Sequence, residues 1–378
     1  MIDKNAQRPR IGFLIPRLGI TDRGAEVLVY ELAKNLHRDF EIIIWVRYAS
    51  RHSKMISDLE HLGVVIEKVK SISQDHPLAR ILYVFEPLKP ILEKFHLAPV
   101  EIEMLVFSFL CLPGLLKVNI DILFPANGLW GVFVCRILRL LRGTPFVYAS
   151  LGGIEPLIAK QKPDTYIAIN PGIKQWLKTH YPELHVVLIS TGVDLKKFSP
   201  AGKKARLNLP RPIFITVSAL VPEKRLDLTI KAVGRLKKGS LLIVGNGPLK
   251  LPLIREAQKY LGPGRFLFQR ASYQKLDEFY RSADVFTHAA PWELGWSMVQ
   301  LEALATNLPV VANKEENLEK LLNGVGITCN VTNSHEYANA MKQALTLKPD
   351  NRPRKAVENF SWEKIAKQYK KYLYQLLK

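Results

Sequence analysis

Four short segments of this 378-residue chain carry residue types and spacings that could do chemistry. The first holds Arg17, Gly19, Asp22, Gly24 and Glu26, between an apolar run at 10–15 and an amphipathic stretch at 25–36. A glycine loop that opens a helix presents backbone N–H groups to an anion or a sugar. It is neither GxGxxG nor a P-loop. The second runs from Ser218 to Asp227 and carries Lys224 and Arg225. Both lie where the positive end of a helix dipole already favours a phosphate. The third is Gly245, Gly247 and Pro248, directly after the apolar run 240–244. Glycines let backbone approach a ligand, and proline fits a first helical position. The fourth holds Glu293, Gly295 and Trp296 in a Trp/Gly-rich loop, followed by Glu302 inside an otherwise apolar helical stretch. A carboxylate in that setting needs a partner, and two carboxylates suit the hydroxyls of a sugar and a ribose. Each segment has a plainer alternative: a capped βα turn, a solvated basic loop, a tight turn, an exposed helical glutamate.

The elements that must position these residues alternate between short apolar runs and helix-length amphipathic stretches. This pattern predicts an α/β fold with parallel sheets. Strands are expected at 10–15, 41–46, 64–69, 121–124, 145–149, 165–169 and 186–189, and again at 212–217, 240–244, 266–269, 284–288 and 309–312. Helices are expected at 25–36, 226–236, 248–261, 298–305 and 362–378. Residues 199–212 contain three prolines and little apolar content, which reads as a linker between two halves.

Composition narrows the class. Hydrophobic residues make up 48% and charged residues 23%, as in an ordinary globular protein. The longest apolar stretch, 104–116, is shorter than the roughly 20 residues that span a bilayer. Three cysteines, Cys111, Cys135 and Cys329, are too few for a disulfide framework or metal cage. No leader is evident, so a cytoplasmic protein is expected. The net charge of +20 is uneven: residues 196–378 carry 31 Lys and Arg against 15 Asp and Glu. A basic half predicts an anionic partner. Aromatic and basic residues do not interleave as in RNA-binding modules, which argues against nucleic acid. The stretch 132–141, with Arg136 and Arg139, and the apolar 105–116 could form a peripheral surface on an anionic membrane. A pair of core helices is the alternative.

Taken in order, these segments resemble the retaining glycosyltransferases of the GT-B fold, group 1 or family 4, over residues 10 to about 375. Thr191, Gly192, Val193, Asp194 and Phe198 resemble the signature NGVDxxxF, with threonine for asparagine. Residues 220–225 resemble the donor-diphosphate loop, 242–249 resemble LxIVGxGPL, and 301–312 resemble LEAMAxGxPVVA. The resemblance implies two Rossmann-like domains facing across a cleft. The acceptor domain would be residues 1–192 plus a final helix, 361–378, crossing back to it. The nucleotide-sugar domain would be 193–360. It further implies Lys224, Arg225 and Glu293 as catalytic residues. Donor binding would fall to Lys224, Arg225, Gly245, Gly247, Gly295, Trp296 and Glu302, and acceptor-side roles to Gly19, Gly24 and Asn127.

The chain departs from the family pattern at three places. Ala219 stands where the family has an arginine five residues before the lysine, leaving Arg225 to supply that charge. Leu294 stands where the first of two paired glutamates belongs, so Glu293 takes that role only if the loop bulges by one residue. Asn307 replaces a glycine. The implied activity is transfer from a UDP- or GDP-linked sugar to a glycan or lipid-linked acceptor with retention, in cell-envelope or surface polysaccharide synthesis. It uses no metal and no cofactor. A non-catalytic nucleotide-sugar-binding relative and a nucleotide-sugar epimerase of the same fold are the alternatives.

Overall fold

The computed structural model describes residues 8–48, 53–77, 98–126, 128–150, 155–290, 295–347 and 352–378. The chain divides into two units. One comprises Met1–Ile169, Lys174–Ile189 and Ala366–Lys378; the other comprises Asn170–Ile173 and Ser190–Ile365. The sequence expectation put the boundary at 192, three residues later, and did not foresee that 170–173 join the second unit.

In chain order the first half contains β1 (Arg10–Leu14), α1 (Gly24–Leu36), β2 (Glu41–Arg47), α2 (Lys54–His61) and β3 (Val65–Val69). It continues with α3 (Pro99–Lys117), β4 (Ile122–Pro125), α4 (Gly128–Arg142), β5 (Val147–Ala149), α5 (Pro156–Ala159), β6 (Thr165–Ala168), α6 (Pro171–His180) and β7 (Val186–Leu188). The first four strands form a parallel sheet in the order β3-β2-β1-β4, and β5-β6-β7 form a second. A bridge between Leu123 and Phe146 joins them. Near-continuous apolar strands fit a parallel sheet covered on both faces. Ile11, Phe13, Ile44, Trp45 and Phe124 are all buried.

The strand order reverses between β1 and β4. The βα loops beyond such a reversal form the ligand crevice of open α/β sheets. Gly19 follows β1, and Gly128 opens the helix after β4.

The second unit contains β8 (Ile213–Val217), α7 (Leu226–Gly234), β9 (Ser240–Val244), α8 (Lys250–Leu261), β10 (Phe266–Gln269), α9 (Leu276–Tyr280) and β11 (Val285–His288). After these come α10 (Met298–Ala305), β12 (Val310–Asn313), α11 (Glu316–Leu322), β13 (Gly326–Cys329), α12 (Ser334–Ala344), α13 (Arg352–Ala356) and the start of α14 (Trp362–Leu376). Its six strands run parallel in the order β10-β9-β8-β11-β12-β13, and the reversal lies between β8 and β11. Phe214, Ile230, Leu241, Ile243, Val285, Val311, Tyr337 and Met341 share one core.

The strand β13 was not expected. Its four residues follow the turn at Asn323 and Gly324 and form no conspicuous apolar run.

Helix α10 starts on a capping pair: the Ser297 backbone N–H donates to Gln300 Oε1 at 2.7 Å. It ends at Asn307, whose φ of +65° is left-handed. Asparagine tolerates that conformation better than most residues, which explains how it stands in for glycine. The Asn307 Oδ1 also accepts from the Arg354 N–H at 3.2 Å. The Arg354 guanidinium donates to the carbonyls of Leu195, Phe198 and Ala305.

Helix α14 has residues in both units. Its start pairs with the crossover segment, the Trp362 N–H donating to the Val193 carbonyl at 3.3 Å. The rest packs within the first unit. The Tyr374 ring meets Phe40 at a tilt with centroids 4.8 Å apart, and Lys370 pairs with Asp39. Gly192 makes the crossover possible, because a Cβ there would sit 2.5 Å from the buried Trp362 ring. Gly192→Ala is therefore expected to destabilise the protein by about 1–3 kcal/mol, the scale of an overpacked core site. Urea unfolding of the variant checks this, and a midpoint equal to wild type contradicts it.

Candidate functional site

The C-terminal edge of the second sheet gathers most of the residues that the sequence singled out. Strand β8 leads into a single 3-10 turn, Pro222–Lys224, which places Lys224 just before α7. Between them Arg225 adopts φ +44°, a left-handed conformation that is strained for a non-glycine residue. Helix α7 begins at once, so its N-terminal dipole end lies beside Lys224.

Arg225 is differently placed from the expectation. Its Nε and Nη2 donate to the two Asp227 carboxylate oxygens at 3.0 and 3.2 Å. Burial acts to raise the Asp227 carboxyl, but the bonds from Arg225 and Lys231 outweigh it and hold the group below its usual range. Lys231 also pairs with Glu256 at 3.2 Å. The guanidinium is thus committed within its own turn.

The glycines after β9 also act differently from the expectation. A Cβ on Gly245 would lie 1.9 Å from the Ser218 carbonyl oxygen, and one on Gly247 would lie 2.5 Å from that of Leu220. Backbone hydrogen bonds fill the contact: Ser218 N–H to Val244 O, Leu220 N–H to Asn246 O and Leu249 N–H to Leu220 O. The space that the glycines free is taken by the neighbouring loop. They set the path of the Lys224 loop.

The loop after β11 includes Glu293 and Leu294, which lie outside the described residues, so the proposed one-residue bulge is not described. Gly295 has φ +108°, and a Cβ there would fall 2.8 Å from Asn170. Asn170 accepts from the Ile173 N–H at 2.9 Å and donates to the Trp296 carbonyl at 3.3 Å. The Trp296 indole donates to Ser190 at 3.0 Å and meets the Phe360 ring edge-on. These contacts anchor the loop to the crossover segment. Trp296 spends its indole on that anchoring.

Glu302 is buried, which excludes the exposed-helix alternative. The Tyr280 hydroxyl donates to its Oε2 at 2.9 Å and is shared with the Val299 carbonyl. Burial raises the carboxyl to about 7, against the pull of the Tyr280 bond and the Lys197 charge. Lys197 itself is held by Asp277 at 3.1 Å and lies over the Tyr273 ring.

In the first unit, Arg17 is locked rather than open. Its Nη2 is 2.9 Å from Glu103 Oε2 and 2.8 Å from Gln74 Oε1, and Arg47 approaches the same carboxylate at 3.3 Å. Gly19, with φ +81°, packs against α2, where a Cβ would be 2.8 Å from Ile56. Gly24 starts α1 in open space, where a Cβ would meet nothing within 4 Å, so sterics do not require it. Asn127 lies outside the described residues.

Two residues escaped the sequence reading. Glu155 follows β5, accepts from the Tyr148 hydroxyl at 2.9 Å, and is raised by burial to about 7. His288 ends β11 in a buried position and stacks on Phe286. His288 sits at the C-terminal end of its strand, and that position was the available signal; Glu155 immediately precedes α5. Among the described residues no group of His, Cys, Asp and Glu could hold a metal ion.

Comparison with known proteins bears on this geometry. Residues 200–361 match the family described as Glycosyl transferases group 1. The chain is 23% identical to an uncharacterized glycosyltransferase of Methanocaldococcus jannaschii, over 97% of each chain. Over 140 residues it is 34% identical to the GDP-mannose-dependent alpha-(1-6)-phosphatidylinositol monomannoside mannosyltransferase of Mycolicibacterium smegmatis. That alignment covers 32% of this chain and 37% of the relative. The solved structure of Anabaena HepE in complex with UDP-glucose superimposes with a TM-score of 0.70 at 17% identity, covering 97% of this chain and 99% of that one. The second unit is a group 1 glycosyltransferase domain, and the fold is that of the GT-B glycosyltransferases.

The Glu302 carboxyl makes stability depend on pH. Unfolded it titrates at 4.5, and folded at about 7. Between those values the native state holds a proton that the unfolded chain has lost, so stability falls as pH rises, by up to about 3 kcal/mol in all. Glu302→Gln removes this titration. The variant should gain stability relative to wild type between about pH 5 and about pH 8, read by urea unfolding at both. A gap that does not change with pH would contradict the buried, raised carboxyl.

Proposed function

We propose that this group 1 glycosyltransferase of GT-B fold moves a hexosyl group from a UDP- or GDP-linked sugar to an acceptor hydroxyl, with retention at the anomeric carbon. One observation carries the reading. The turn Pro222–Lys224 sets Lys224 at the N-terminal end of α7, beyond the C-terminal end of β8, where the strand order reverses. A developing diphosphate gains most from fixed donors and cations aimed at its oxygens.

In this mechanism the bond from the anomeric carbon to the diphosphate oxygen breaks, and negative charge grows on the leaving phosphate. Lys224 and the α7 amides stabilise that charge, which makes a divalent ion unnecessary. The departing phosphate oxygen takes the acceptor proton on the same face, so the new bond forms with retention. Glu302, steadied by Tyr280, accepts from the ribose hydroxyls, and Glu293 contacts the donor sugar. Gly19, Gly24 and Asn127 belong to the acceptor loops of the first unit.

The Mycolicibacterium relative is named for GDP-mannose and a phosphatidylinositol mannoside, which supports a lipid-linked acceptor and a role in cell-envelope glycolipid or polysaccharide synthesis. The structure of HepE with UDP-glucose supports a UDP sugar equally. Three buried free thiols suit a reducing, cytoplasmic setting. A second reading, nucleotide-sugar binding without turnover, draws on Arg225: its fork with Asp227 leaves the charge missing at Ala219 unreplaced.

Thermal shift with UDP, GDP, ADP and dTDP in the presence of EDTA tests the site. One nucleotide should raise the melting temperature, since a ligand of the native state stabilises it. Its sugar conjugates should then be hydrolysed slowly. Lys224→Ala should lower kcat/KM by at least about a hundredfold and Glu293→Ala by a similar factor. Binding without hydrolysis would establish the second reading. No shift with any nucleotide would remove both.

A further inference from the structure

Helix α3 is 19 residues long and apolar enough, by length and composition, to cross a membrane. The sequence reading counted only the 13 apolar residues 104–116 and missed the polar first turn. Three tethers nevertheless hold α3 to its own unit. The Glu103 carboxylate is buried between Arg17 and Arg47. Gly114 lies against the Trp45 indole, where a Cβ would be 3.1 Å from Nε1. Arg142 of α4 donates to the carbonyls of Leu116 and Val118 at the end of α3. A helix that crossed a bilayer would have to abandon a doubly paired carboxylate, at high cost.

The side of α3 and α4 that faces the unit is ordinary core: Met104, Phe107, Cys111 and Leu115 with Val132, Val134, Cys135 and Leu138. The core-helix alternative holds for that side only. The other side is apolar and exposed. It carries Phe109, Leu110 and Leu116 on α3 and Phe133, Leu140 and Leu141 on α4. Leu140 is 79% exposed and Leu141 65%. Phe133 and Leu140 are seven residues apart and share one helix face. An apolar patch of this extent on a soluble domain marks an interaction surface.

We propose that this face of α3 and α4 docks on an anionic phospholipid bilayer. Charge identifies the occupant. Between residues 104 and 142 the cations are Lys117, Arg136, Arg139 and Arg142, against Asp121 in the same stretch and Asp164, which pairs with Arg139 at 3.3 Å; Arg136 donates to the neutral Gln161 amide at 2.7 Å and keeps its charge. The Asp121 carboxylate is already taken by the Arg10 backbone N–H at 2.6 Å. Leucine and phenylalanine side chains enter the acyl boundary while arginine and lysine reach the headgroup phosphates. A second copy fits poorly, because a two-fold contact would set the same cations against each other. The inference rests on the first unit alone and stands or falls independently of the donor site.

Co-sedimentation of the full chain with vesicles tests it. The wild type should pellet with mixed phosphatidylglycerol–phosphatidylcholine vesicles at low salt and far less with phosphatidylcholine alone. The double substitution Leu140→Ser, Leu141→Ser touches exposed side chains, so its melting temperature should stay at the wild-type value. Its vesicle partitioning should fall by at least about tenfold, the worth of two leucines leaving the acyl boundary. Wild-type protein that stays in the supernatant with anionic vesicles overturns the proposal. So does a double variant that binds as wild type, or equal binding to neutral vesicles. A dimer by light scattering that the double variant dissolves, without vesicle binding, assigns the face to a second copy instead.

Discussion

The second unit depends on two backbone segments approaching more closely than any side chain would allow. The loop after β9 touches the loop after β8 at Gly245 and Gly247, where the carbonyls of Ser218 and Leu220 occupy the space of a Cβ. Because those carbonyls cannot retreat without breaking the backbone bonds at Ser218, Leu220 and Leu249, the 218–225 segment has one path. That path leads into the 3-10 turn, the left-handed Arg225 and the start of α7. The position of Lys224 is therefore a consequence of glycines more than twenty residues away. Preorganised charge needs such a scaffold, since a flexible lysine would have to be reordered at each turnover.

A second constraint is the buried carboxylate of Glu302. An ionisable group in an apolar helix is costly unless partnered, and Tyr280 is that partner. Tyr280 is tied in turn to Phe198 and Phe286 by ring contacts, and Phe198 belongs to the crossover segment that Arg354 grips by its carbonyls. The helix that bears Glu302 and the crossover are thus held by one set of contacts. The Gly295–Asn170 and Trp296–Ser190 contacts extend it to the loop after β11. The signature at 191–198 reads as structural in this setting: Asp194 caps its own turn, and Gly192 clears Trp362.

Much of this was legible in the sequence. All twelve expected strands are present because apolar runs of a parallel sheet, punctuated by Gly, Pro and Asn, leave little ambiguity. The thirteenth, Gly326–Cys329, is short and only partly buried, so it lacks the run that announces a strand. The placing of Lys224, Gly245, Gly295 and Glu302 at one sheet edge and its neighbouring helix follows from spacing. Their partners do not. That Arg225 would turn onto Asp227, two residues on, depends on its left-handed backbone. That Gly245 and Gly247 meet the carbonyls of the loop after β8 depends on strand order. Glu155 escaped notice because its partner Tyr148 lies seven residues earlier, on a strand, and neither residue is unusual by type.

The charged residues that follow Lys224 pair with one another. Arg225 and Asp227 neutralise each other, and Lys231 lies between Asp227 and Glu256. These are part-exposed pairs of small individual worth. The second half carries a large positive charge. Most of it lies on other surfaces, the exposed Lys203, Lys204, Lys237 and Lys238 among them, where salt screens it within about 10 Å. The basic composition and the Lys224 loop are thus separate features of this chain. The first acts as a general attraction to anionic surfaces. The second is one lysine held in place by a turn, a helix and two glycines.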